Sequence, residues 1–466
     1  MADAPIDLSS PRRIHVTNVG GAGMSAVATL LVQMGHVVSG HDPAPDTPFL
    51  EPLRALDVTV TTGPATAPAS PGADAVVVST ATPADHPDVV AARQGGIPVV
   101  HRSAALAAIC AQRDQVVGVA GTHGKTTTSA LLATVLAAAG TEPGWVIGAG
   151  VAGLGSSAAW GGPGPLVVEA DESDGTFLSI GAHSAIVTNV EPDHLEHWGG
   201  EEELRAGFEA FVGALSGPAV LCLDDPGAAA LAASAAHPVT YGTDAASDYR
   251  IEEVTAAGTG VAFVLCHGGQ RVDVTLPAAP GLHNARNGAA ALALAHELGV
   301  PLAVAAAGLA TFRGVARRFE VRGEAGGVTL VDSYDHLPTE VVAALAAARA
   351  GSWRRVVCCF QPHRYSRTEA LWPTFAHAFT DADVLAVTDV YPAGEAPRPG
   401  VSGKLIVDAV LDAHPWVTVA WLPSLDDLTA YLAATLRAGD LCLTLGAGDL
   451  TTVPDRVLAL LERRTT

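Results

Sequence analysis

VVGVAGTHGKTTTSALLATVLAA, residues 116–138, decides the fold: a β-branched run, a tight glycine turn, then an alanine-rich helical pattern. That order reads as a strand feeding a phosphate loop. Gly121 and Gly124 let the backbone turn with its N–H groups facing inward, and the following helix aims its positive dipole end at the same point. Lys125 is spaced to reach the outer phosphates of a nucleotide, and Thr126 offers a hydroxyl to Mg2+. Val119 stands where a strict Walker box has its first glycine, so GTHGKTT is a variant loop, completed by Thr122, His123 and Thr127. Lys125 and Lys404 are the only lysines in the chain. Arginine is the default cation here, and a lysine kept in this turn marks a demand for a compact point charge.

A chain of 466 residues is too long for one core and predicts about three domains at ~150 residues each. Apolar residues make up 49% of it, enough for each domain to bury its own core. The formal charge of -22 argues against nucleic acid and anionic membrane as partners, since both need clustered positive charge. A polyanionic nucleotide still binds through local arginines, backbone amides and Mg2+. The start, MADAPIDLSSPRR, carries no apolar segment after its charges, and no apolar run approaches the ~18 residues of a membrane span, which predicts a cytoplasmic protein. Cys110, Cys222, Cys266, Cys358, Cys359 and Cys442 lack CxxC spacing and read as small buried hydrophobes.

Residues 14–42 read as a first βαβ half. Gly20, Gly21 and Gly23 lie between strand and helix, where a pyrophosphate can rest on the helix N-terminus, and Asp42 closes the second strand. Asn18 replaces the first glycine of the dinucleotide fingerprint; it tolerates positive φ but brings a side chain. The competing reading is a glycine turn that is only structural. The α/β pattern continues to about Ala111.

In the central region, PLVVEADES (165–173) and SAIVTNVEPDHLEHW (184–198) are apolar runs that end in carboxylates and histidine, at the strand ends where open α/β sheets place ligands. Glu169, Asp171, Glu172, Asp193 and His194 are the candidates to complete a Mg2+ site with Thr126. His194 reads equally as a ligand or as a hydrogen-bond partner of one, and His183 and His197 as surface or packing residues. Asn284 and Asn287 start the helix over 282–300 either as caps or as contacts. Arg313, Arg317 and Arg318 crowd a turn that suits a phosphate clamp. Past Val321 three strands break into polar clusters, 332–336, 361–367 and 389–395, which bring His336, His363, Arg364 and Arg367 to one rim suited to a carboxylate.

The run GGAGMS, SGHD, GTHGKTTT, EADESD, TNVEPDH, HNARN, RRFE, DSYDHLPTE, FQPHRYSRT and LGAGDL resembles the Mur ligases over essentially the whole chain. The resemblance implies an α/β fold of three domains. These are a Rossmann-like UDP-sugar-binding domain (1–111), a central P-loop-type ATPase domain with a mostly parallel sheet (112–320) and a C-terminal Rossmann-like domain (321–466). It implies ATP and Mg2+, with Lys125 on the β/γ phosphates, Thr126 and Glu169 at one Mg2+, and Glu169 and His194 at a second. Asn284 and Asn287 would touch adenine, and Arg318 and Asp332 the phosphate and ribose side. Gly20, Gly21, Gly23, Met24, Ser25 and Asp42 would take the UDP-sugar, and Tyr334, His336, His363, Arg364 and Arg367 the amino acid. FQPHRYSRT and DSYDHLPTE look most like the branch that joins L-alanine to the lactoyl carboxylate of UDP-N-acetylmuramate through an acyl phosphate. The catalytic set is then Lys125, Glu169, His194, Arg318 and His336, with His194 and His336 both open as the base. No lysine lies between Lys125 and Lys404, which excludes the branches that use a carbamylated lysine. A peptide-recycling ligase and a non-catalytic nucleotide-sugar-binding relative are the competing readings. Asn18, Asp335 and Leu337 depart from the family pattern, the last two near the amino-acid site. The chain is expected as a monomer or homodimer.

Overall fold

The computed structural model describes residues 6–68, 70, 72–257 and 259–465. The first sheet has five strands in the order Thr59–Thr62, Val37–Asp42, Arg13–Thr17, Ala75–Val78 and Val99–His101, all paired parallel. The strand order reverses beside Arg13–Thr17, so the turn that follows this strand opens at a switch point of the kind where such sheets bind ligands. Helix Ala22–Gln33 packs onto the sheet through Met24, Val27, Leu30 and Leu31.

The second sheet has ten strands. At its centre Val116–Ala120 lies between Ser184–Val187 and Leu166–Glu169, parallel to both, so the three C-terminal ends present Gly121, Thr188 and Glu169 side by side. Helix Lys125–Ala138 follows the loop and is buried from Thr126 to Leu136. Its alanines let helix Leu302–Leu309 approach closely: a Cβ added at Gly308 would meet the Val135 backbone at 3.3 Å. The apolar run from 184 stops at Val187, and Leu195–Trp198 is a helical turn.

The third sheet runs Glu320–Ala325, Val328–Ser333, Asp440–Leu445, Arg355–Phe360, Val384–Val387 and Val419–Trp421, with only the first pair antiparallel. Both faces are covered: Val356, Cys358 and Phe360 enter one core while Val357 and Cys359 enter the other, the period-2 alternation of a strand with no solvent side. Five of the six cysteines are buried, as their sequence context predicts. Cys266 departs: it is half-buried, and Arg271 donates to its sulfur at 3.4 Å.

The chain divides into two compact units, Met1–Glu252 with Val264–Val274 and Arg286–Thr311, and Glu253–Phe263 with Thr275–Ala285 and Phe312–Thr466. The first sheet and most of the second share a unit for a local reason. Ala158 packs into the core of the first, and the Trp160 N–H donates to Gln33 Oε1 at 2.7 Å. Among the described residues no helix is long and apolar enough to cross a membrane.

Candidate active site

Both glycines of the phosphate loop are required by space as well as by angle. Gly121 has φ 128° and a Cβ there would lie 2.2 Å from Thr188 Oγ1; Gly124 has φ 83° and its Cβ would lie 2.8 Å from Asn287 Oδ1. The loop is held from behind by TNVE. Thr122 N–H donates to the Asn189 carbonyl at 3.1 Å, His123 N–H to Asn189 Oδ1 at 2.8 Å, and Glu191 N–H to Thr122 Oγ1 at 2.9 Å. The Thr188 hydroxyl and the Asn189 amide both donate to the His123 carbonyl, at 2.6 and 3.1 Å. A loop fastened this way keeps its shape as charge arrives.

Lys125 folds back over the loop and donates to the carbonyls of Gly121 (2.7 Å) and Thr122 (3.2 Å) and to Glu172 Oε1 (3.0 Å), with Glu172 Oε2 at ion-pair distance, 2.8 Å. Burial alone would lower its pKa, but the carboxylates of Glu172 and Asp171 outweigh burial and leave it raised. It is a fixed positive charge. Glu172 is itself buried, and desolvation lifts its pKa against the opposing pull of Lys125. The Thr126 hydroxyl donates to Glu169 Oε1 at 2.7 Å and the Gly148 N–H to Oε2 at 2.6 Å, so Glu169 is oriented as an ionised acceptor. Hydroxyl and carboxylate are the hard oxygen donors that Mg2+ prefers, and the pair fits that ion. His194 sits in the left-handed region at φ 53°, with its Nε2 3.4 Å from Asp193.

In the first sheet, a cavity of about 610 Å3 opens over Asn18, Gly20, Gly21, His41, Asp42 and His86. Asn18 takes φ 50° where the fingerprint has glycine. Asp42 accepts the Gly20 N–H at 2.7 Å and the Ala44 N–H at 2.9 Å, tying the glycine turn to the second strand. The structure thus gathers Gly20, Gly21 and Asp42 at the cavity. It places the other three candidates elsewhere: Met24 is in the core, the Ser25 hydroxyl donates to the Ala22 carbonyl, and Gly23 leaves space for the Arg102 guanidinium.

The third sheet gathers its rim residues tightly. His336 stands edge-on to Tyr334 (5.6 Å between ring centres) and to His363 (5.5 Å), and His363 stacks on Tyr391 at 5.8 Å. His336 Nδ1 faces the Tyr334 carbonyl at 3.1 Å and must donate there, which leaves the Nε2 lone pair free. His363 has the opposite tautomer. Arg367 donates to its Nδ1 at 3.0 Å, so its Nε2 carries the proton. Burial holds both rings below the ordinary imidazole range, His363 at about 3, and Arg367 pushes each further down. Arg318 lies over Tyr334 at 5.2 Å, while Arg313 is exposed. Arg317 turns inward onto the carbonyls of Gly446 (2.6 Å) and Gly448 (3.2 Å). Asp332 is buried and accepts from Thr444 at 2.8 Å and Thr451 at 2.6 Å, so both of its oxygens serve the domain's interior.

Residues 13–114 match the Mur ligase family catalytic domain, 119–295 the Mur ligase middle domain, and 317–448 the Mur ligase glutamate ligase domain. A protein of Kineococcus radiotolerans named UDP-N-acetylmuramate–L-alanine ligase is 48% identical over 97% of both chains. The chain belongs to the Mur ligase family. A like-named protein of Anaeromyxobacter is 44% identical over 97% of this chain and 99% of its own. Among solved structures, the UDP-N-acetylmuramate–alanine ligase of Thermotoga maritima superposes with a TM-score of 0.82 at 28% identity, covering 97% and 99% of the two chains. A murein peptide ligase of Psychrobacter arcticus gives 0.70 at 25% over the same shares.

This Mur ligase also uses residues that sequence reasoning passed over. Thr188, Asn189 and Glu191 brace the phosphate loop although the motif TNVEPDH was read only for its last two residues. Glu340 accepts the N–H groups of His336 (2.9 Å) and Leu337 (3.0 Å), and the signal was present in LPTE, with Pro338 opening a helix and a glutamate at its third position. Glu395 accepts the N–H (2.9 Å) and hydroxyl (2.5 Å) of Ser366 and so fixes the start of the FQPHRYSRT helix. Leu337, one departure from the family pattern, is buried.

Proposed function

We propose that the chain joins L-alanine to the lactoyl carboxylate of UDP-N-acetylmuramate, consuming ATP and releasing ADP and phosphate, in the cytoplasmic synthesis of peptidoglycan precursors. The observation that carries this is 48% identity over nearly the whole length to a ligase of that name, with the phosphate loop and the amino-acid rim both intact. A carboxylate is a poor electrophile, so its oxygen first takes the γ-phosphoryl group of ATP and ADP departs. Lys125 neutralises charge on the outer phosphates, a contribution of positioning and electrostatics. Mg2+, held by Thr126 and Glu169 with His194 as a further donor, would supply additional neutralisation there. The amine of alanine then attacks the acyl carbon of the acyl phosphate, and phosphate leaves from the tetrahedral intermediate. One ammonium proton must go to a base. His336 is the better of the two candidates, because its Nε2 lone pair is free and the ring is neutral at pH 7, while His194 faces Asp193. The His363 N–H and the Arg364 and Arg367 guanidinium groups suit the alanine carboxylate. Asn284, Asn287 and Arg318 complete the nucleotide side. Gly20, Gly21 and Asp42 would meet the UDP-sugar at the first cavity.

Phosphate release with ATP, Mg2+ and UDP-N-acetylmuramate tests the reading when run with L-alanine, with the tripeptide and with neither. Release that needs L-alanine and vanishes in Lys125→Ala supports it. Release only with tripeptide assigns the chain to peptide recycling, and binding of the UDP-sugar with no release under any condition assigns it to a non-catalytic role.

A further inference from the structure

At the far end of the helix that carries Asn287, Leu282–Glu297, two residues turn toward the long strands Tyr249–Ala257 and Gly260–His267. His296 and Glu297 lie nine and ten residues beyond Asn287, about 14 Å along the axis, and the reaction described above uses neither. One nitrogen of His267, one of His296 and one carboxylate oxygen of Glu297 all fall within 4.8 Å of one another. The buried Tyr249 organises them: its hydroxyl is 2.6 Å from His296 Nδ1 and 2.7 Å from Glu297 Oε1, and its ring stacks on His267 at 3.9 Å.

The hydrogen bonds fix the protons. A phenol has one proton to give, and it goes to the carboxylate, so His296 must donate through Nδ1 and keeps its Nε2 lone pair. His267 Nδ1 faces the Asp248 carbonyl at 2.9 Å and must donate as well, which leaves its Nε2 lone pair. Burial and the Glu297 bond push the Tyr249 hydroxyl up, so it remains a proton donor at neutral pH. Both imidazoles are therefore oriented by an N–H bond on one nitrogen with the other unprotonated, the arrangement that accompanies metal-ligating histidines. Two imidazoles and a carboxylate, with a solvent-exposed face for water, form a donor set for zinc rather than for Mg2+.

We propose that His267, His296 and Glu297 bind a zinc-class dication, oriented by Tyr249, at a site separate from the phosphate loop. The test uses the full chain stripped with chelator and titrated with Zn2+ alone against a chromophoric competitor, followed by metal analysis after gel filtration. Wild type and Glu169→Gln should each retain one equivalent. His267→Gln and His296→Gln should lose it, and Tyr249→Phe should bind about 10- to 100-fold more weakly. No retained zinc, or equal retention by His267→Gln, overturns the proposal. Should the histidine variants fail to fold, Co2+ in Glu169→Gln decides: an intense four-coordinate visible spectrum sustains the site, and a pale six-coordinate one or none overturns it.

Discussion

The phosphate loop and the amino-acid rim handle charge in opposite ways. At the loop each charge is met inside the protein. Lys125 rests on Glu172 and two carbonyls, and Glu169 accepts a hydroxyl and an N–H. At the rim, positive groups crowd together. Burial is the main reason the two imidazoles remain neutral, and the cations add to it: Arg367 and Arg364 press on His363, and Arg367 and Arg318 on His336, where Glu340 pulls the other way. A site for a nucleotide polyanion keeps its lysine charged by supplying carboxylates. A site that must accept an ammonium proton keeps its base unprotonated by burying it and setting cations beside it, and the same cations suit the substrate's carboxylate.

The sharpest way to break this contrast is at Lys125. Lys125→Ala should lower kcat by about 10³-fold or more, since one preorganised charge on a transferring group is worth that much. It should also cost about 3–5 kcal/mol of stability, because Glu172 loses its buried partner. Lys125→Met with Glu172→Gln separates the effects: denaturant unfolding should recover while turnover stays lost. Recovery of turnover would mean that the lysine serves the fold alone.

At the rim, His336→Gln should reduce kcat by about 10²- to 10⁴-fold, the range for a lost general base, with a smaller change in the KM for alanine. His363→Gln should act on KM, raising it roughly 10-fold through a weakened charge-assisted contact. Steady-state kinetics in L-alanine check both, and an exchange of the two phenotypes would reverse the tautomer assignment.

Gly124→Ala tests the backbone half of the loop. The residue sits at φ 83°, and an added Cβ meets Asn287 Oδ1 at 2.8 Å. The strain costs on the order of 1–3 kcal/mol, and the KM for ATP should rise roughly 10-fold. Asn287→Ala in the same background removes the clash and not the angle, so denaturant unfolding should recover part of the stability, while the KM for ATP should stay high because Asn287 itself belongs to the nucleotide side.

The loop was legible because its information is local: a β-branched strand, two glycines, a lysine and an alanine helix lie within 23 residues, and Gly121, Lys125 and Thr126 sit where that order predicts. The three sheets were legible for the same reason. What escaped was set by partners far along the chain. Asn189 braces His123 across 66 residues and Thr451 occupies Asp332 across 119, and no spacing rule reports such pairs. Arg317 and Arg318 are adjacent, looked equivalent and both lie over Tyr334, at 4.9 and 5.2 Å, yet Arg317, with its left-handed φ, also reaches the Gly446 and Gly448 carbonyls. Cys266 looked like the other cysteines because the partial exposure of a position near the end of strand Gly260–His267 is a property of the sheet around it, and local composition does not encode it.

The smallest effect expected concerns acid stability. His363 has a folded pKa of about 3, below the ordinary ~6.5, and His336 shifts in the same direction. A depressed histidine is neutral when folded and protonates when unfolded throughout the window between the two values. There the unfolded chain binds more protons, so stability is greatest above about pH 6.5 and falls as pH drops toward 3. Because His363 is only partly buried, solvent screening keeps its share below the ~1.4 kcal/mol per pH unit of a full proton. Denaturant unfolding at pH 7 and pH 5 in wild type and His363→Gln isolates that share, since the carboxylates that also lose stability in acid are common to both. The variant should lose less stability over this interval. An equal loss would mean that His363 takes up its proton in the folded state, in which case the rim is less positive than Arg364 and Arg367 make it, and the assignment of neutral imidazoles to the amine-deprotonating step fails with it.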